Sequence, residues 1–249
     1  MTGVNPVAKL AAALLIALPL VVTIDPVSAG VALVLELPLL LAAGLRAREF
    51  WLRTLVVWIA APLAGVTIAL YGQSSGAVLF EWLLVRVSEG SLLLAVATCL
   101  RVLAIGLPAV VLFATVDPTD LADGLAQLVR LPARFVLGAL AGMRMIALLG
   151  DDWRALALAR RARGVADTGR VRRVLGMAFA LLVLSVRRGS ALATAMEARG
   201  FGGSARRTWA RPSRFGARER LVLAYAVAIP AVALTASIVT GAWHPVFAS

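Results

Sequence analysis

The sequence predicts an all-α, polytopic membrane protein of about five transmembrane helices, plus long amphipathic helices on the cytoplasmic side. Three observations carry that class. Of 249 residues, 61% are hydrophobic and only 15% charged, whereas soluble domains sit near ~45–50% apolar and ~25% charged. The apolar residues come in blocks, and ~20 of them in a helix cross the ~30 Å of hydrocarbon in a bilayer. The charge is also confined. Six of the 25 basic residues precede Asp117, and the other 19 lie between Arg130 and Arg220. With eight acidic residues, the 117–220 stretch holds +11 of the net +12, and the positive-inside rule places it in the cytoplasm. The same composition excludes disorder. Cys99 is the only cysteine, which excludes a disulfide or thiolate-metal scaffold.

The elements follow in order. Leu10 to Ile24 is the first span, ended by Asp25-Pro26, and Val27 to Leu45 follows after a tight turn, interrupted only by Glu36. Arg46, Arg48 and Arg53 form a short basic loop into Thr54–Tyr71, which carries no charge. Segment 77–87 is apolar but too short to cross and holds Glu81 and Arg86, so it reads as an interfacial helix on the outer face. Ser91 to Val116, containing Arg101, is the fourth span, and Leu221 to Trp243 the fifth. Trp51, Trp82 and Trp243 stand at span ends, where indoles anchor at the interface. The first apolar block lacks a small-residue cleavage site, so a cleavable signal peptide is not expected.

Three regions result: a four-span part over 1–116, a cytoplasmic part over 117–217, and a final span with an outer tail over 218–249. In the middle region, Asp117-Pro118-Thr119-Asp120 is a helix-start signal. The short helix it opens runs to about Arg130 and is closed by Leu131-Pro132. No proline interrupts Ala133 to Arg163, and Gly164 is placed as a left-handed stop. A further run, Arg170 to Arg199, is stopped by Gly200. Each is apolar first and basic later, which suits a helix lying along the inner surface of the bilayer. Bracketed by spans, this basic region is expected to meet lipid or a docked protein and no nucleic acid.

The two helix ends repeat at an offset of 36. Residues 156–164 and 192–200 are identical at six of nine positions, and both close on Ala-Arg-Gly: Ala162-Arg163-Gly164 and Ala198-Arg199-Gly200. Helix C-termini favour a basic residue before glycine for local reasons alone, but here both copies end long helices in the same register. Ala155, Ala159 and Ala162 share one face, and Ala191, Ala195 and Ala198 repeat that stripe. Small residues at this spacing let two helices cross closely. Each helix then presents one arginine at its tip, able to grip a carboxylate in a bidentate manner. The same offset sets Asp151-Asp152 opposite Arg187-Arg188, an ionic contact between the helices.

Two long helices each closed by Ala-Arg-Gly, with the Thr115-Val116-Asp117-Pro118 approach and the Pro132–Arg144–Gly164 run, resemble the transmembrane T component of energy-coupling factor (ECF) transporters, the CbiQ/EcfT family. The layout of the whole chain is similar, and the specific part lies in about 115–200. The chain departs from the pattern at Arg161 and Glu197, just before the motifs. The resemblance implies a multi-pass protein of the bacterial cell (inner) membrane that couples two ABC-type ATPase subunits to a substrate-binding S component, for uptake of a vitamin or transition-metal ion. It implies that Arg163 and Arg199 each dock in a groove of one ATPase, with Ala162, Gly164, Ala198 and Gly200 permitting close approach. It also implies no cofactor and no catalysis in this chain.

The remaining candidates are weaker. Glu36 and Arg101 are the ionisable groups well inside spans, each costing ~2.5–3.5 kcal/mol at a helix centre, so both should face protein and could pair. Arg144, in the middle of a long helix, reads as structural. His244 is the only histidine, which leaves no His-based triad or His/Cys metal site, and no Walker-type loop is present. A lipid head-group transferase would need a surface carboxylate cluster. Asp117, Asp120 and Asp123 are the nearest approach, though helix-start chemistry accounts for them. A self-contained permease would need polar ligands within the spans, and these are almost absent.

Overall fold

A computed structural model describes residues 3–72, 77–82, 85–164, 169–203 and 208–243. Its elements are α1 (Pro6–Val21), α2 (Pro26–Ala42), α3 (Ala47–Tyr71), β1 (Val78–Trp82), β2 (Val85–Ser88), α4 (Glu89–Ala114), α5 (Pro118–Gln127), α6 (Ala133–Ala162), α7 (Arg170–Ala198) and α8 (Ala217–Val239). The chain forms two units. One comprises Met1–Leu121 with Ser213–Ser249, and the other Ala122–Pro212. The protein is an all-α integral membrane protein, its β content among the described residues being one short hairpin.

The first unit is a bundle of α1, α2, α3, α4 and α8. Its starts are written locally: Asn5 and Asp25 cap α1 and α2 with Pro6 and Pro26 at the next position, and Ser88 with Ser91 forms a reciprocal capping box on α4. Ala12, Ile16, Leu20, Ala32, Leu39, Ala104, Leu112, Ala226, Ile229 and Ala233 make the buried core. Large apolar residues on the outer faces, such as Val56, Ile59 and Leu63, stay exposed, as suits contact with lipid tails. Each helix of this bundle has an internal proline (Pro19, Pro38, Pro62, Pro108, Pro230). α6 and α7 have none. Proline is commoner in transmembrane than in soluble helices because neighbouring helices re-satisfy the freed carbonyls.

Among the described residues five helices are long and apolar enough to cross a membrane, the number the sequence predicts, but they are α3, α4, α6, α7 and α8. α1 and α2 have 16 and 17 residues, about 24–26 Å at 1.5 Å per residue. The difference arises because proline caps and a tight turn trim the first two apolar blocks, while the uninterrupted first halves of α6 and α7 supply long apolar windows. A second difference is a correction. The described residues of segment 77–87 are not helical: β1 and β2 pair antiparallel, with Glu81 and Arg86 as cross-strand partners. Val78, Phe80, Trp82, Val85 and Val87 alternate at the strand period, and β-branched and aromatic residues favour that form.

α3 and α4 approach closely at Gly65, where an added Cβ would lie 3.1 Å from the Ala95 carbonyl oxygen and 3.4 Å from Cys99 Cβ. Gly65→Leu is expected to force these helices apart, lowering stability by roughly 1–3 kcal/mol, with Gly65→Ala much milder. Thermal unfolding of the purified subunit in detergent reads the difference, and equal midpoints for Gly65→Leu and wild type would remove the close-packing account.

Candidate functional site

The second unit is built on α6 and α7, 30 and 29 residues long. Gly164 and Gly200 terminate them in the left-handed conformation, at φ +69° and +76°. Around Gly200 the cap is a full Schellman motif: the Gly200 amide donates to the Glu197 carbonyl (2.8 Å) and the Phe201 amide to the Met196 carbonyl (3.0 Å). At the other tip the Gly164 amide donates to the Arg161 carbonyl (3.0 Å). Arg163 and Arg199 are therefore the C-cap residues of their helices. Both are exposed, as are Ala162, Gly164, Ala198 and Gly200. A side chain at such a cap projects beyond the last helical turn, where the −0.5 end of the helix macrodipole favours a cation.

α6 packs against α7. Arg188 makes a bidentate contact with Asp152, its Nη2 donating to Oδ1 at 3.1 Å and its Nη1 to the other oxygen. This realises the ionic contact predicted from the offset of 36. Farther along, the Arg160 guanidinium lies over Gly176, 3.1 Å from where a Cβ would stand, and Met177 beside it is buried. The pairs 152/188 and 160/176 advance in opposite chain directions, so the helices cross antiparallel. The structure does not bring the two alanine stripes together. Ala155, Ala159, Ala191 and Ala195 are all exposed. Arg144 is likewise exposed on α6. Arg170 starts α7, and 165–168, the loop between the helices, lies outside the described residues.

At the other end of α6, Arg130 takes a left-handed φ of 60°, uncommon for a residue with a side chain. The Leu131 amide reaches back to the Leu125 carbonyl (3.1 Å), closing α5 and turning the chain into α6. Ala122, Ala126 and Val136 form a small buried cluster there.

Glu36 and Arg101, the two ionisable groups expected inside spans, do not pair. The Arg101 guanidinium donates to the carbonyl of Val21, the last residue of α1. Glu36 is fully buried, and neither carboxylate oxygen has a hydrogen-bond partner. Two cations that sequence reading left without a role serve like Arg101. Lys9 Nζ donates to the Thr115 carbonyl (3.0 Å) and hydroxyl (3.1 Å), and Arg53 Nη1 to the Ala114 carbonyl (2.8 Å). Together they close the C-terminal end of α4. In the sequence each stands at the edge of an apolar block, Lys9 before Leu10 and Arg53 before Thr54. Asp117 accepts hydrogen bonds from the Thr119 (2.7 Å) and Asp120 (3.3 Å) amides, so it works as a helix cap.

Comparison with known proteins agrees with this layout. The cobalt transport protein family CbiQ matches residues 1–209. The energy-coupling factor transporter transmembrane protein EcfT of Limosilactobacillus fermentum is 30% identical over 188 residues, 70% of this chain and 70% of that one. EcfT of Exiguobacterium sibiricum is 30% identical over 166 residues, 62% of this chain and 63% of the other. EcfT of Bacillus selenitireducens is 28% identical over 232 residues, covering 88% and 86%.

Proposed function

Since the chain belongs to the CbiQ/EcfT family and is the transmembrane T component of an energy-coupling factor transporter, we propose that it transmits the motion of two ATP-binding-cassette ATPases to a separate S component, which carries a vitamin or transition-metal ion. The observation that carries this reading is the pair of exposed arginines, Arg163 and Arg199, each fixed at the C-cap of a long helix by a left-handed glycine. Each tip docks in an acidic groove of one ATPase. The Arg188–Asp152 contact holds the crossing, so displacement of one tip is felt by the other helix. ATP hydrolysis resides in the partners, and this chain contributes no reacting group.

In this reading α1, α2, α3, α4 and α8 are the spans and α6 and α7 lie along the inner leaflet. Two features support the assignment: the proline in each bundle helix, and the sealing of α1 and α2 in one core with α4 and α8. The basic 117–220 region is then cytoplasmic by the positive-inside rule.

The test is co-expression with two ATPases and an S component, followed by purification on a tag carried by this chain. All partners are expected in one complex, while the isolated chain binds no vitamin or metal ion by calorimetry. Micromolar binding of such a ligand to the chain alone would instead support a self-contained permease.

A further inference from the structure

The tip of α7 does not stand alone. A cavity of about 660 Å³ adjoins it, lined by Pro132 and Arg134 from the start of α6 and by Met196, Arg199, Phe201 and Thr208 from the end of α7 and beyond. Two guanidinium groups from different helices thus border one space. Both arginines are exposed. Arg134 is steadied by the Phe135 ring, its Cζ lying 5.2 Å from the ring centroid. Gly200, Gly202 and Gly203 also line the cavity, and the first two hold left-handed backbone, φ +76° and +88°. With no side chains there, the wall lets another backbone come close.

We propose that this cavity seats an acidic segment of one ATPase subunit, read jointly by Arg134 and Arg199, so that a single ATPase holds the start of α6 and the end of α7 together. The proposal rests on the reading of Arg199 as a docking residue and adds a second contact to it. The charge argument selects the occupant. Two like charges bordering one cavity repel, and a carboxylate between them converts that repulsion into two charge-assisted contacts. The cavity is lined by polar and apolar groups together, which suits a folded protein segment that also covers Met196 and Phe201.

The experiment measures ATPase binding to the full chain in detergent for Arg134→Ala, Arg134→Lys and Arg199→Ala. Arg48→Ala serves as the control, an exposed arginine in the first turn of α3 that removes the same charge. Arg134→Ala and Arg199→Ala are each expected to raise Kd about tenfold or more. The double variant should lose less than the product of the two, Arg134→Lys should recover part of the loss, and Arg48→Ala should bind as wild type. If Arg199→Ala weakens binding and Arg134→Ala stays within twofold of wild type, the joint site is wrong and the docking role of the tip survives. If neither variant changes binding, both readings fall. If Arg48→Ala weakens binding as much as Arg134→Ala, the effect is one of net charge and the joint site is again overturned.

Discussion

The double variant Arg163→Glu/Arg199→Glu is expected to abolish capture of the ATPase subunits while leaving the membrane bundle folded. Removing one partner of a desolvated charge pair typically costs ~2–5 kcal/mol, much of it from the charge left behind. The low end of that range weakens binding roughly 30-fold per tip, and about a thousandfold when both tips are lost. Reversal to glutamate adds repulsion from an acidic groove. The fold is insulated from the change because both side chains are exposed at helix C-caps. The backbone hydrogen bonds that close those caps belong to glycine, phenylalanine and main-chain carbonyls. Exposed cap substitutions of this kind cost only the dipole contribution, ~0.3–1 kcal/mol. Tagged pull-down from membranes reads the result, with size-exclusion behaviour of the free subunit as the fold control. Recovery of both ATPases at wild-type levels would falsify the docking role of the tips.

The helix tips were legible in the sequence because their determinants are local. Ala133 begins a run without proline, Gly164 and Gly200 stop the runs, and the left-handed φ at both glycines follows from the absence of Cβ. The Arg188–Asp152 contact, at the offset of 36, forms because the two antiparallel helices cross at those positions, whereas the alanine pairs of that offset lie away from the crossing.

What needs tertiary adjacency was not legible. Lys9, Arg53 and Arg101 all close helix C-termini that lie 106, 61 and 80 residues away in the chain, and nothing near each cation in sequence names its partner. The crossing face was a similar case. Spacing marks Ala155, Ala159, Ala191 and Ala195 as a surface able to pack closely, but it does not say which helix fills that surface. In this chain α6 and α7 meet through Asp152 and Arg160 instead. The strand pair Val78–Trp82 and Val85–Ser88 was obscured because a short apolar run fits either a helix or a strand, and there the alternation of β-branched and aromatic residues decides.

Glu36→Leu is expected to raise the thermal stability of the isolated subunit, a direction opposite to most core substitutions. Glu36 has no exposed surface, and both oxygens are without a partner. Ala32 and Leu39, one turn to either side on the same face of α2, belong to the apolar core. The Tyr225 hydroxyl, which reaches the neighbouring residue of α2, is already engaged: it donates to the Leu35 carbonyl at 2.5 Å. An unsatisfied buried polar group costs ~1–3 kcal/mol, and more when it is charged. Leucine has nearly the volume of glutamate, so the exchange adds little packing strain. A gain of that order should therefore appear. Glu36→Gln keeps the volume and leaves an amide equally stranded, so its midpoint should lie near that of wild type. The pair of variants separates polarity from shape, since only one removes the polar atoms. A lower midpoint for Glu36→Leu would show that the carboxyl is bonded in the working protein and would overturn this account. A polar group kept in an apolar core at a cost to stability marks a place where function has been favoured over packing. Transport by the stabilised variant is the natural companion measurement. Lost uptake with both ATPases still bound would place Glu36 in the part of the bundle that moves, whereas full uptake would confine its effect to stability.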